Sequence, residues 1–417
     1  MRLLVLASYD SFLNIGGVIA PFFVRAGCEV EYALVRARRQ TQITDSQISE
    51  LIPGANFRWI EINEASGAEE FCRYDIVLAC LEGLSTRRMM HHLRSLEVRR
   101  PLVVSVYPGL LLRWRLDGLS VRAASDFLWL NCESDLAAYR EMCEAFGMGS
   151  ENARLFGVAP LLQRVEREKS AADGPVVFFE QAVIPRSSEE RHFLAVQLIQ
   201  LAIRFPRLRF QVKPRATGTD ATLHQTSEAI LPLLEMASKR CGGWPNNLSV
   251  TSERASTLLG RASHCLTVSS TVAAEAIYAG VPTVILGDFG AYDEYGLQYF
   301  FRSGVIRNFS ELDFPFAAKP NPAWLAHYIS DPNQTIEGLV NEVMEKARAP
   351  RGLIVDEALK AEMSSDLRAH LHRANDVEYV LSRRYQATKK LTSMWASIFS
   401  AVGKVRSAVG SRGGNRQ

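Results

Sequence analysis

The sequence predicts an α/β protein made of two doubly wound parallel-sheet domains in series. Three observations carry that expectation. Short apolar runs of strand length alternate with longer amphipathic helical runs. The alternation stops over residues 150–174, where Glu166–Asp173 is charged and small, and then restarts. At 417 residues, with 47% hydrophobic and 22% charged side chains, the chain has the size and composition of a globular protein of more than one domain.

In the first half, Leu3–Ala7 reads as a strand and Phe12–Arg25 as a helix stopped by Gly27. Glu29–Val35, Asp75–Cys80, Leu102–Val106 and Phe127–Asn131 are further strands, with helices near Thr86–Ser95 and Leu136–Phe146. Strands separated by helices imply βαβ units and a parallel sheet. After the break, Val176–Phe179 is a strand. Glu189–Arg204 is a helix with a capping signal from Ser187 and Ser188. Arg209–Lys213, Leu248–Thr251, Cys265–Val268 and Thr283–Leu286 are strands, and helix Val272–Ala279, stopped by Gly280, joins the last two. The partition is 1–160, 174–330, a helical segment over 331–382, and a basic tail over 383–417.

Charge separates that tail from the body. Residues 383–417 hold eight Lys/Arg and no acid, whereas the rest carries 40 basic and 45 acidic side chains. A mildly acidic body argues against nucleic acid as a partner. The seven cysteines form no CxxC pair and several lie in apolar strands, so they read as reduced core residues without zinc spacing. The apolar start is broken by Asp10, too soon for a signal peptide, and no run approaches a transmembrane length. These features suggest a cytoplasmic protein.

The residues that could carry chemistry sit where strands end. Ser269, Ser270 and Thr271 lie between a strand and a helix, where free N–H groups and the helix dipole attract a phosphate; the same residues also serve as ordinary helix caps. Glu275, one turn on, is placed to accept hydrogen bonds from ribose hydroxyls. Lys213 and Arg215 end another strand and offer a point charge and a bidentate fork to phosphate. Gln181, after Val176–Phe179, is suited to a base edge or a phosphate. In the first half Asp10, and after it Glu82, are carboxylates at strand ends, suited to general-base work, with an N-cap role as the other reading of Asp10. His91 and His92 are adjacent in a helix and point to different faces, so no shared metal is expected. There is no DxD, no GxGxxG after a strand and no Walker A motif, which leaves no sign of a metal or of a dinucleotide cofactor.

Two such domains with a phosphate-binding second half resemble the GT-B glycosyltransferase architecture, in which Rossmann-like domains face a cleft. More narrowly, Val176–Arg215 and Leu266–Phe289 are similar to an uncharacterised bacterial family of glycosyltransferases. Its members share a Gln after a strand, a Lys-containing strand end, and a segment that here spans Thr267–Gly290; Gln181 and Lys213 match the first two. Arg100-Pro101, Pro108-Gly109 and Arg122–Asp126 extend the likeness into the first half, while Ser8–Asn14 departs from the family's opening motif. The resemblance implies transfer of a sugar from a nucleotide-sugar donor; the missing DxD makes a metal-independent transfer the expectation, and the basic tail fits a glycan or lipid-linked acceptor of the cell envelope. A more distant likeness, to transferases of CMP-activated acid sugars, matches Ser269-Ser270-Thr271 but has His-Pro where Lys213-Pro214 stands; it tilts the donor toward CMP over UDP.

The alternatives are a CDP-polyol phosphotransferase, a sugar-nucleotide 2-epimerase, whose usual Asp-Ser-Gly-Gly run is absent, and a non-catalytic scaffold tethered to a membrane. The last rests on the tail. Leu391, Met394, Trp395, Ile398, Phe399, Val402 and Val405 form an apolar stripe at helical spacing, flanked by Lys389, Lys390, Lys404 and Arg406. Such a segment suits the inner face of a membrane with anionic headgroups.

Overall fold

The computed structural model describes residues 1–36, 43–62, 70–94, 100–113, 115–215, 228–316 and 319–349. The expected tail, and the part of the helical segment beyond residue 349, lie outside the described residues.

The first domain is a seven-stranded sheet: β1 (Arg2–Ala7), β2 (Glu29–Val35), β3 (Phe57–Ile60), β4 (Ile76–Cys80), β5 (Leu102–Ser105), β6 (Phe127–Leu130) and β7 (Ala153–Leu155). Their order is β3-β2-β1-β4-β5-β6-β7, with every pairing parallel. The second domain is six-stranded: β8 (Val176–Phe179), β9 (Phe210–Lys213), β10 (Leu248–Val250), β11 (His264–Thr267), β12 (Thr283–Leu286) and β13 (Ile306–Arg307). It is again all parallel, in the order β10-β9-β8-β11-β12-β13. Central strands such as β4 and β8 are buried along their whole length because helices cover both faces, hence their unbroken apolar runs.

The structure adds elements that carry no such run. β3, β7 and β13 lie at sheet edges, are short and are only partly buried, so they lack the composition that announces a buried strand. Helix Ser188–Arg204 begins as expected, with Ser187 and Glu190 forming a reciprocal capping box. Helix Val272–Tyr278 is followed by Gly280 at φ 71°, a left-handed conformation that favours glycine.

Helix Ile336–Arg348, expected within a separate helical segment, instead completes the first domain. Ile336, Leu339, Val340, Val343, Met344 and Ala347 share one core with β1, helix Asp10–Arg25 and Trp129. Cys28 Sγ lies 3.2 Å from Met344 Sδ, and Arg154 pairs with Glu342 at the rim. The chain therefore crosses between domains twice.

Val343 is fully buried in that shared core, whereas Glu345 on the same helix is exposed. Val343→Ala is expected to lower unfolding free energy by about 2 kcal/mol in denaturant melts, and Glu345→Ala to change it by no more than about 0.5 kcal/mol.

Candidate active site

In each sheet the strand order reverses once, between β1 and β4 and between β8 and β11. Loops leaving the carboxyl ends of the two strands diverge there and open a crevice, the usual ligand position in open parallel sheets. Asp10 and Glu82 follow β1 and β4, and Gln181 and Ser269 follow β8 and β11, so four of the sequence-derived candidates occupy the two switch points.

The second domain's crevice is organised by a charged pair that the sequence reading missed. Glu180 directly follows β8, and its Oε1 accepts a hydrogen bond from Arg191 Nη2 at 2.6 Å; their side chains are 3% and 1% exposed. The other Glu180 oxygen accepts the backbone N–H of Arg215 at 3.1 Å. Burial raises the Glu180 pKa, against the opposing pull of the Arg215 N–H and of Arg191. The signal was present in the sequence. Arg191 shares a helical stripe with Leu194, Ala195 and Leu198, all buried, and a charge on an apolar stripe requires a buried partner.

Gln181 and Ser269 hold each other. Ser269 N–H donates to Gln181 Oε1 at 2.8 Å, and Gln181 Nε2 donates to the Ser269 carbonyl at 2.9 Å. Ser269 is fully buried, and its hydroxyl donates to the Tyr295 carbonyl. This corrects the expectation for both residues. Gln181 braces one loop against the other instead of presenting its amide to a base, and Ser269 offers no hydroxyl to a phosphate. Ser270 and Thr271 keep partial exposure. Ser270 Oγ accepts the Val272 N–H at 3.3 Å, a capping contact on the following turn. Thr271 Oγ1 accepts the Leu110 N–H at 3.1 Å, across the seam between the domains. Gly109 permits that approach, since a Cβ there would lie 2.3 Å from Thr271 Oγ1.

Glu275 lies one turn into helix Val272–Tyr278. The residue keeps some exposure, yet protein surrounds its carboxyl closely and desolvation pushes its pKa up to about 7.

Lys213 and Arg215 end β9. Lys213 Nζ donates to the Pro214 carbonyl at 3.1 Å. Arg215 reaches across the seam and pairs with Asp10 at 2.8 Å. Asp10 is 13% exposed at its side chain, and its second oxygen, Oδ1, is buried without a hydrogen-bond partner among the described residues. Asp10 is not the cap of its helix: Tyr9 holds the cap position and Asp10 is the first helical residue. Glu82, by contrast, is a cap. Its oxygens accept from Ser85 N–H at 2.8 Å and Ser85 Oγ at 2.6 Å at the start of helix Gly83–Arg94, so of the two candidates Asp10 is the one paired with the second domain.

Among the described residues, no group of three His, Cys, Asp or Glu side chains converges to hold a metal ion, and no helix is long and apolar enough to cross a membrane.

Comparison with known proteins gives the chain's family and bears on its fold. A family model described as "Putative glycosyltransferase (DUF6716)" matches residues 3–343. No curated protein matches the chain. Among solved structures, the UDP-GlcNAc 2-epimerase of Neisseria meningitidis bound to UDP-GlcNAc is similar at TM-score 0.54 and 11% identity, covering 83% of this chain and 100% of that one. The UDP-GlcNAc 2-epimerase of Methanocaldococcus jannaschii is similar at TM-score 0.55 and 12% identity, with the same coverage. At such identities the likeness is one of fold, and that fold is the two-domain GT-B arrangement.

A carboxyl with a raised pKa destabilises the native state once solvent pH exceeds its unfolded value near 4.5, and the loss grows until pH passes about 7. Glu275→Gln is therefore expected to be more stable than the parent at pH 8, with the difference vanishing near pH 4. The gain is on the order of 1–2 kcal/mol, discounted for the residue's partial exposure. Thermal melts across that pH range check it.

Proposed function

The chain belongs to this glycosyltransferase family, and from that premise we propose that it moves a sugar from a nucleotide-sugar donor to an acceptor hydroxyl at the seam between its two domains. The observation that carries the reading is the Asp10–Arg215 pair. It joins a carboxylate at the first domain's switch point to a cation at the carboxyl edge of the second domain's sheet.

In this reading the donor phosphate lies against Lys213 and Arg215 and near the part-exposed turn at Ser270, while Glu275 accepts from the ribose. Arg215 meets Asp10 through Nη2 alone, and in this reading the donor phosphate competes for that guanidinium, drawing it away and leaving Asp10 free to take a proton. The acceptor oxygen then bonds to the anomeric carbon as its proton passes to Asp10. The bond from that carbon to the phosphate oxygen breaks, and the nucleotide leaves with the electron pair, its charge met by the two cations.

Ser269, buried and braced, weakens the cytidine preference that the Ser-Ser-Thr run suggested, so UDP and CMP donors are tested side by side. The epimerase reading is favoured only by the fold neighbours. It is separated by product: a transferase consumes donor in proportion to acceptor, whereas an epimerase converts it with no acceptor present.

Lys213→Ala and Arg215→Ala are each expected to weaken binding of the preferred nucleotide by about 1.5–3 kcal/mol in calorimetric titration, with the fold intact. Asp10→Asn should bind donor at least as well as the parent yet lose most transfer; equal turnover would remove Asp10 as the base. Because the sequence lacks DxD and supplies two cations instead, transfer should persist in EDTA, and a loss restored by Mg²⁺ or Mn²⁺ would overturn the metal-free mechanism. The basic amphipathic tail supports an acceptor at a membrane surface, such as a glycan or lipid-linked precursor. Co-sedimentation with anionic vesicles should then require residues 383–417.

A further inference from the structure

The seam holds a second pocket, on the other side of the Thr271–Leu110 contact from Asp10 and Arg215. Strand order fixes this placement. Asp10 and Arg215 follow β1 and β9, Leu110 and Thr271 follow β5 and β11, and the next pair along the seam is Arg113 with the loop after β12, where Arg113 Nη1 meets the Glu294 carbonyl at 3.3 Å. The pocket encloses about 620 Å³. Leu111, Leu116 and Arg113 line it from the first domain, and Gln298, Tyr299 and Tyr328 from the second.

Three features show what this space lacks. Arg115, also on the wall, is already matched: it donates to Ser134 Oγ at 3.2 Å and pairs at 3.4 Å with the fully buried carboxylate of Asp135. Arg113 is not matched. Its contact is a backbone carbonyl, no carboxylate pairs with it among the described residues, and desolvation together with nearby Arg186 lowers its pKa. Gln298 Oε1 is buried with no donor among the described residues. A half-buried cation needs an anion, and a buried amide oxygen needs an N–H or O–H donor. Leu111, Tyr299 and Tyr328 add apolar surface suited to the face of a ring. The acids of this pocket, Asp117, Asp293 and Glu294, are exposed, and Glu294 pairs with Arg186 at 3.5 Å.

We infer that this pocket binds an anionic sugar, its carboxylate or phosphate on Arg113, its ring against Tyr299 and Tyr328, and a ring hydroxyl donating to Gln298 Oε1. The site is separate from the proposed donor site and does not rest on it. Because both domains line the pocket, its ligand favours the closed seam, and by linkage anything that closes the seam favours the ligand.

The test is ligand-observed NMR titration of the full chain with glucuronate, glucose 6-phosphate and, as the neutral control, glucose. Saturable binding of at least one acid, about tenfold or more tighter than glucose, is expected, and which acid binds decides between carboxylate and phosphate. Arg113→Met should weaken that binding by about tenfold or more, and Gln298→Leu severalfold, whereas Lys213→Met, which alters the proposed donor site without removing the Asp10–Arg215 contact across the seam, should leave it unchanged. The Gln298 variant carries the test if Arg113→Met does not fold. No saturable binding of either acid up to roughly 10 mM overturns the inference, as does glucose binding equally well. Loss on Lys213→Met with Arg113→Met unaffected also overturns it, by assigning the acid to the donor site.

Discussion

The contact on which the candidate site depends is the buried ion pair between Glu180 and Arg191. Taking two charges out of water is costly, and such a pair persists only where each partner satisfies the other and further hydrogen bonds satisfy the rest. Here the remaining Glu180 oxygen is satisfied by the backbone of Arg215. The cation that crosses the seam is thus anchored by its own main chain to the interior of the second domain. Its guanidinium is partly exposed and meets Asp10, while its backbone N–H is held by Glu180. A carboxylate that looks like a detail of the second core sets where the first domain's carboxylate finds its partner.

The parallel sheets supply the other constraint. Every strand releases its chain at the same edge, so loops crowd there and need internal bracing before they can present anything outward. Gln181 and Ser269 provide that bracing at the second switch point, and Glu82 does so at the first. Residues that hold the crevice open are therefore interleaved in sequence with those that face into it. Ser269 is committed, Ser270 is half free, and Thr271 is turned toward the other domain.

This interleaving explains what the sequence revealed and what it concealed. Periodicity exposed the central strands, the break between the halves and helix Ser188–Arg204 with its cap, because burial on both faces writes a continuous apolar run. The loops at the strand ends were legible as loci: Asp10 follows β1, Lys213 and Arg215 close β9, and Asp10 and Arg215 meet. The division of labour within a loop was not legible, since a side chain that braces and one that binds are drawn from the same polar set. Glu82 and Gln181 were misread for that reason. Arg191 was overlooked for the opposite one, as a charge in a helix is ordinarily a solvated face. The edge strands and the return of helix Ile336–Arg348 depend on long-range partners that no local window contains.

That return has a consequence for how the protein is made. The first domain is discontinuous: its core includes Leu3 and Val5 at one end of the described chain and Val343 and Ala347 near the other. On a ribosome, the sheet formed by residues 2–155 must wait for its last helix while the entire second domain is synthesised. At 5–20 residues per second the wait is roughly 10–40 s. During that interval the second domain, continuous in sequence, can fold to completion, while the first exposes the apolar groove that Ile336, Val340 and Val343 later fill. The half made first is thus the half completed last, because its core closes only when residues 336–347 have been made.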